Sequence, residues 1–132
     1  MSALNRRVAG ARHFKELIVW QLSNQLRVQV FEITNRACFR KDLKLRSQLD
    51  DAIDSVCRNI AEGFAGTDGQ FARHLRISRS SLNEVQDQLL SARLKEYVTD
   101  LDLAAARHLM RRIFPALSSL IRHLDRKRGD KS

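Results

Sequence analysis

The sequence has few residues that break helices, with one Pro and five Gly among its 132 residues. Such a composition leaves room for few turns, and it favours a small number of long helices over many short strands. A chain of this length is expected to form one domain with its own core. Aromatic residues are also sparse, at 6%, so the core has to come mainly from aliphatic side chains.

Two further absences bear on location and redox state. The sequence has no run of about 18 apolar residues, which excludes a conventional membrane-spanning helix. Arg6 and Arg7 are not followed by the apolar segment that a secretory signal contains. Cys38 and Cys57 are too few and too far apart for a disulfide framework or a Cys-x-x-Cys site. We therefore expect two reduced thiols in a cytoplasmic protein that has no membrane partner.

What the chain does contain is apolar residues at helical spacing over four long stretches. The predicted helices cover approximately residues 14–37, 43–64, 68–97 and 101–125. Within each stretch the apolar positions recur at intervals of four and three, the spacing of one helix face. The fourth stretch shows this over Leu103, Ala106, Met110, Ile113, Leu117, Leu120 and Leu124. Short links between such helices predict an all-α, antiparallel up-down-up-down four-helix bundle.

The links between the predicted helices contain residues that commonly cap helix N-termini. The candidate N-caps are Asp42, either Thr67 or Asp68, and Asp100. Their side-chain oxygens can accept hydrogen bonds from the first backbone N–H groups of a helix. These residues therefore mark the expected starts of the second, third and fourth helices.

The positive charge is concentrated towards the two ends of the chain. The net charge is +9; residues 1–13 hold three bases and no acid, and residues 122–132 hold five bases and two acids. This pattern predicts a basic N-terminal arm (1–13), the bundle domain (14–125) and a basic C-terminal tail (126–132). Basic segments bind polyanions because neutralising phosphates releases counterions. Charged termini also confer solubility, and the charge alone does not choose between these roles.

The fourth predicted helix has a basic stripe opposite its apolar face. The stripe consists of Arg107, Arg111, Arg122 and Arg126, which fall within about 100° of one another and extend over about 28 Å. We predict a nucleic-acid-binding surface formed by Arg107, Arg111, Arg122, Arg126, Lys127 and Arg128. The alternative is an ordinary solvated helix face. The chain has no row of aromatic residues for base stacking, so we expect contact with the phosphate backbone and little sequence specificity.

Polar residues interrupt the apolar faces of the second and third predicted helices. Ser55, Asn59 and Glu62 form one row on the second helix, and Ser78 and Ser81 lie about a turn apart on the third. Buried polar groups are costly unless they are paired. We predict that these five residues form a structural polar layer that satisfies itself and fixes the helix register. A small polar pocket between the two helices is the alternative.

The motifs of bundle enzymes and metalloproteins do not occur in the sequence. The Glu-x-x-His pair of di-iron bundles is missing, and the four His include no pair three or four residues apart that would suit zinc. There is no Gly-rich phosphate loop and no nucleophile with an evident base. We therefore predict no catalytic residues, no metal site, no cofactor and no enzyme activity.

The run from Asn59 to Phe64, with Ser47, Ala52 and Ser55 before it, resembles the signature of the four helix bundle protein family. Members include proteins encoded by intervening sequences within bacterial large-subunit ribosomal RNA genes. The accessory variability protein of diversity-generating retroelements, which binds a reverse transcriptase and nucleic acid, is similar to this family. The resemblance implies an antiparallel bundle that assembles into a homopentamer, and it carries over no catalytic residue. The chain departs from the family in having Asp50 and Asp51 where basic residues are usual.

These observations together predict a non-enzymatic, oligomeric binding or scaffold protein. Its basic surface would contact RNA, DNA or a nucleoprotein partner. The alternative is a purely structural homo-oligomer that binds a protein partner and has no role with nucleic acid. Apolar positions beyond the helix faces, such as Trp20, Leu90 and Phe114, indicate subunit contacts in either case.

Overall fold

The computed structural model describes residues 10–130, and of Asp130 only the backbone. These residues form four α-helices, which are α1 (Ile18–Thr34), α2 (Leu43–Phe64), α3 (Asp68–Leu94) and α4 (Asp100–Asp130). Turns of 3-10 helix at Phe14–Glu16 and Ala37–Lys41 precede α1 and α2. Residues 10–130 contain no strand, and the predicted all-α class is confirmed. Most of the predicted N-terminal arm (residues 1–9) and the last two residues of the predicted tail lie outside the described residues.

Contacts between side chains show that neighbouring helices run antiparallel. Between α2 and α3, Ser55 pairs with Ser81 and Gln48 pairs with Gln88. Residue numbers therefore fall along one helix as they rise along the other. The other three pairs of neighbouring helices show the same order. Between α1 and α2 the contacts are Arg27–Asp54 and Thr34–Asp50, and between α3 and α4 they are Arg76–Asp125 and Arg93–Asp100. At the two ends of α1 and α4, Arg36 pairs with Asp102, and Leu17 and Leu120 line one groove. The helices therefore form a closed square in which α1 contacts α2 and α4.

The core lies along the axis of this square and comes from the predicted apolar faces. Each helix contributes fully buried side chains, including Leu26, Ile53, Leu82 and Leu117. Burying one such aliphatic side chain contributes roughly 1.5–3 kcal/mol. The four faces that the sequence spacing predicts are therefore the faces that hold the bundle together.

The second helix begins and ends where the sequence predicts, and its N-cap is the predicted one. The Asp42 carboxylate accepts a hydrogen bond from the backbone N–H of Leu45 at 3.2 Å. At the start of α3, Thr67 and Gln70 form a reciprocal capping box. Both caps satisfy N–H groups that have no partner inside their own helix.

The cap of α4 differs from the prediction. Thr99, not Asp100, accepts the hydrogen bond from the backbone N–H of Asp102, at 3.1 Å. The Asp102 carboxylate in turn accepts from the Thr99 N–H at 2.8 Å. Asp100 is the first residue of the helix and forms ion pairs with Arg93 and Arg107 instead.

Four other helix ends also differ from the sequence prediction. The first helix begins later, because Leu17 is extended after the 3-10 turn, and it ends at Thr34. The third helix ends at Leu94, and Glu96 just beyond it adopts a φ of 62°. The fourth helix continues to Asp130. Residues 126–130, which the charge pattern assigns to a tail, are therefore the last turn of α4.

Candidate nucleic-acid interface

The four stripe arginines of α4 fall into two groups in the structure. Arg107 and Arg111 line a groove of about 610 Å³ between α3 and α4. Arg122 is exposed, and Arg126 lines a separate groove between the start of α1 and α4. At about 1.5 Å per residue, roughly 16 Å of helix separates Arg111 from Arg122. The stripe is therefore not one continuous basic surface.

The charge of Arg107 is offset within the protein. Its guanidinium lies 3.0 Å from the Asp100 carboxylate, which also accepts a hydrogen bond from Arg93 at 3.2 Å. The hydrogen bonds from Arg107 and Arg93 hold the pKa of Asp100 below its ordinary value. Arg107 thus forms an ion-paired wall of the groove.

A denser cluster of bases lies where the start of α3 packs beside the end of α4. We call this cluster the α3–α4 basic patch. It consists of Arg73, Arg76, Arg79, Arg122, Lys127 and Arg128. Two acids, Asp68 and Asp125, lie in the same part of the bundle, so positive charge predominates.

Contacts that cross from one helix to the other hold the patch together. Asp125 of α4 pairs with Arg76 of α3 and also lies 3.8 Å from Arg128. Arg79 donates a hydrogen bond to the Ser118 hydroxyl at 3.2 Å. Exposed pairs of this kind contribute little to stability, typically below about 1 kcal/mol. Their effect is to fix the positions of the cations relative to one another.

The last turn of α4 reaches over the first turn of α3. The Lys127 ammonium lies 3.8 Å from the Asp68 carboxylate. The Arg128 guanidinium lies so close to Gly69 that a Cβ at that position would be 3.4 Å from its Cζ. The predicted residues Lys127 and Arg128 are therefore part of the folded surface.

Sequence reasoning identified the α4 half of the patch and missed its α3 half. Arg73, Arg76 and Arg79 recur at intervals of three residues, and Arg73 and Arg76 are exposed. That spacing is the signal that could have drawn attention to them. It could not have shown that Arg76 and Arg79 lie beside Asp125 and Ser118 of α4, because only the packing of α3 on α4 brings these residues together.

Of the five residues predicted for the polar layer, the structure brings four together. The Asn59 amide donates to the backbone oxygen of Ser55 at 2.9 Å and to its hydroxyl at 3.1 Å. The Ser55 and Ser81 hydroxyls share a hydrogen bond of 2.8 Å, and the Ser78 hydroxyl donates to the Val56 carbonyl at 2.8 Å. Glu62 does not belong to this layer, since its side chain is exposed.

His74 of α3 takes a place in the layer that the sequence did not indicate. Its Nδ1 lies 2.9 Å from the Asn59 Oδ1. Because the Asn59 amide nitrogen already faces Ser55, its oxygen is the atom that faces His74, and this oxygen can only accept. Nδ1 therefore carries the hydrogen. The polar groups satisfy one another, which favours the register interpretation over a ligand pocket.

Gly63 allows α2 and α3 to approach closely beside this layer. A Cβ at Gly63 would lie 2.6 Å from the His74 Cβ and 3.0 Å from a Phe71 ring carbon. Neither distance is compatible with ordinary packing. The absence of a side chain at position 63 is thus a condition for the contact between Asn59 and His74.

Two buried serines provide a matched test of the polar layer. Both are fully buried; the Ser78 hydroxyl bonds to Val56, whereas the Ser23 hydroxyl has no partner within the described residues. We expect Ser78→Ala to lower the free energy of unfolding by about 1 kcal/mol. Ser23→Ala removes no hydrogen bond and is expected to be neutral or slightly stabilising. Urea unfolding of both variants checks this, and equal losses would contradict it.

Metal binding, membrane insertion and cysteine chemistry each have requirements that can be compared with the described residues. Among the residues described, no group of His, Cys, Asp or Glu is arranged to hold a metal ion. Over the same residues, no helix combines the length and the apolar character needed to span a membrane. Cys57 is buried, and this burial raises the pKa of its thiol to about 11. The thiol therefore stays protonated near neutral pH and is a poor nucleophile.

The four-helix fold and the α3–α4 basic patch define the class of the protein, which is a basic, all-α four-helix bundle protein. Residues 15–119 match the model of the family described as 23S rRNA-intervening sequence protein, and the chain belongs to this family. The match includes Arg73, Arg76 and Arg79 but ends before Arg122. Comparison with curated proteins gives no match.

Proposed function

We propose that the protein is a non-enzymatic binding or scaffold protein that contacts nucleic acid, alone or in a nucleoprotein, through the α3–α4 basic patch. The observation that carries this proposal is the convergence of six bases from two helices, with the acids Asp68 and Asp125 among them. Such a concentration of positive charge attracts polyanions and gains free energy from counterion release. The protonated thiol of Cys57 and the two free cysteines are compatible with a binding role in a reducing cytoplasm.

A filter-binding titration with RNA and with DNA at about 50 and 200 mM salt tests this proposal. If three or four phosphates of a duplex are neutralised, we expect the affinity to fall by roughly 40- to 150-fold between these concentrations. Binding through apolar or neutral hydrogen-bonding contacts would depend on salt much less. Absence of salt-sensitive binding at the lower concentration would overturn the proposal.

We propose in addition that the protein is a homo-oligomer. Leu90, Met110 and Phe114 line the α3–α4 groove, and Leu90 is 49% exposed. On α1, the helix diagonal to α3, Val28 and Phe31 are exposed as well. A contact between two different surfaces is heterologous, and heterologous contacts close into rings when the rotation allows. The subunit number of five comes from the family resemblance alone.

The second candidate function is that of a structural homo-oligomer whose partner is another protein. The apolar groove favours it, because exposed apolar surface of this kind commonly marks protein contacts. Pull-down from a native lysate with and without nuclease separates the two candidates. Partners that persist after nuclease treatment support the protein-binding role, and partners that disappear support the nucleic-acid role.

A further inference from the structure

We infer that the α3–α4 basic patch selects double-stranded over single-stranded nucleic acid. This inference rests on the proposed function and names the ligand class of the same surface. It follows from three properties of the patch, which are its rigidity, its charge density and the position of the nearest aromatic rings.

Contacts between α3 and α4 hold four cations of the patch, which are Arg76, Arg79, Lys127 and Arg128. Its members stand on two packed helices, and Asp125 ties Arg76 of α3 to Arg128 of α4. Ser118 accepts a hydrogen bond from Arg79, which links the two helices at a second point. A duplex presents its phosphates in an equally regular array, so little freedom is lost when the two surfaces meet. A flexible single strand has to be ordered on binding, and this ordering lowers its affinity.

The charge density of the patch also suits a duplex. Arg73 and Arg79 lie six residues apart, which is about 9 Å along α3, and packed helices lie about 8–10 Å apart. A duplex carries one phosphate charge per about 1.7 Å of its axis, against about 3.4 Å for each strand. Roughly five duplex phosphates therefore fall within 9 Å, about twice the number that one strand of the duplex supplies over that length.

The two aromatic rings beside the start of α3 face inward, whereas Phe14 and Trp20 at the start of α1 are partly buried. Phe64 and Phe71 pack edge to face with ring centroids 5.9 Å apart, and they are 8% and 1% exposed. Proteins that bind single strands commonly stack the bases on exposed aromatic rings, at about 1–3 kcal/mol per base. These two rings are buried in the core and cannot stack on bases. A single strand on the patch would therefore form phosphate contacts without stacking.

Fluorescence anisotropy with four labelled 20-nucleotide ligands tests this inference. The ligands are single-stranded DNA, single-stranded RNA and the corresponding DNA and RNA duplexes, all titrated at about 50 mM salt. We expect at least one duplex to bind about tenfold more tightly than either single strand. The duplex slope of log affinity against log salt should also be steeper, because each phosphate contributes about −0.9 in a duplex and −0.7 in a single strand.

The outcomes separate the inference from the proposed function. Single strands that bind as tightly as both duplexes would overturn the duplex preference and leave the nucleic-acid role standing. Failure of all four ligands to bind in a salt-sensitive way would overturn the proposed function itself. A preference between the DNA and RNA duplexes would identify which helical form the patch fits.

Discussion

Gly63→Ala is expected to lower the free energy of unfolding by about 1–3 kcal/mol, the usual cost of overpacking a close contact. Alanine is the better helix former by about 1 kcal/mol, so an isolated helix would respond in the opposite direction. The difference arises because the new Cβ would lie 2.6 Å from the His74 Cβ, and His74 cannot move without its backbone. Urea unfolding followed by circular dichroism measures the effect.

Gly129→Ala is the matched control for this variant. Gly129 lies in α4, and a Cβ there would meet nothing within 4 Å. We expect the control to be neutral or more stable, since only helix propensity changes. If Gly63→Ala were as stable as Gly129→Ala, the close approach of α2 and α3 could not be the reason for a glycine at position 63.

Neutralising one base on each helix of the patch is expected to weaken duplex binding by about tenfold or more at about 50 mM salt. The double variant Arg73→Gln with Arg122→Gln is suitable because both side chains are exposed. If each arginine neutralises one phosphate, the salt slope should fall by about 1.8. The anisotropy titration described above measures both quantities.

The matched control removes the same charge elsewhere. Arg40 and Lys41 are exposed in the 3-10 turn before α2, at the opposite end of the bundle. Arg40→Gln with Lys41→Gln is expected to leave the affinity within about twofold, because at this salt concentration surface charges farther apart than about 14 Å are largely screened. An equal loss in both double variants would show that net charge, and not the patch, governs binding.

Much of the fold could be predicted because the packing face of a helix follows from the spacing of its apolar residues along the sequence. The apolar faces led to the four helices, and Asp42 led to the start of α2. The helix ends were harder because they depend on individual turn residues. Neither the positive φ of Glu96 nor the choice of Thr99 over Asp100 as a cap follows from an apolar period.

The candidate site was predicted in part, for a different physical reason. Charge on one helix is visible in the sequence, whereas the contact between Arg76 and Asp125 depends on how α3 packs on α4. Glu62 illustrates a limit of spacing rules. Three residues are 60° short of a full helical turn, and this rotation takes Glu62 from the Asn59 row into solvent. His74 fills the space opposite Asn59 from the neighbouring helix.

An even number of antiparallel helices returns the chain to the end at which it began. The start of α1 and the last turns of α4 therefore meet, and charges far apart in the sequence are gathered at one pole. Residues 10–24, 55–81 and 116–129, which form that half of the bundle, hold ten bases and four acids, whereas residues 25–54 and 82–115 hold eleven bases and ten acids. The molecule is thus electrically polarised, and a polyanion would turn the basic pole towards itself before contact.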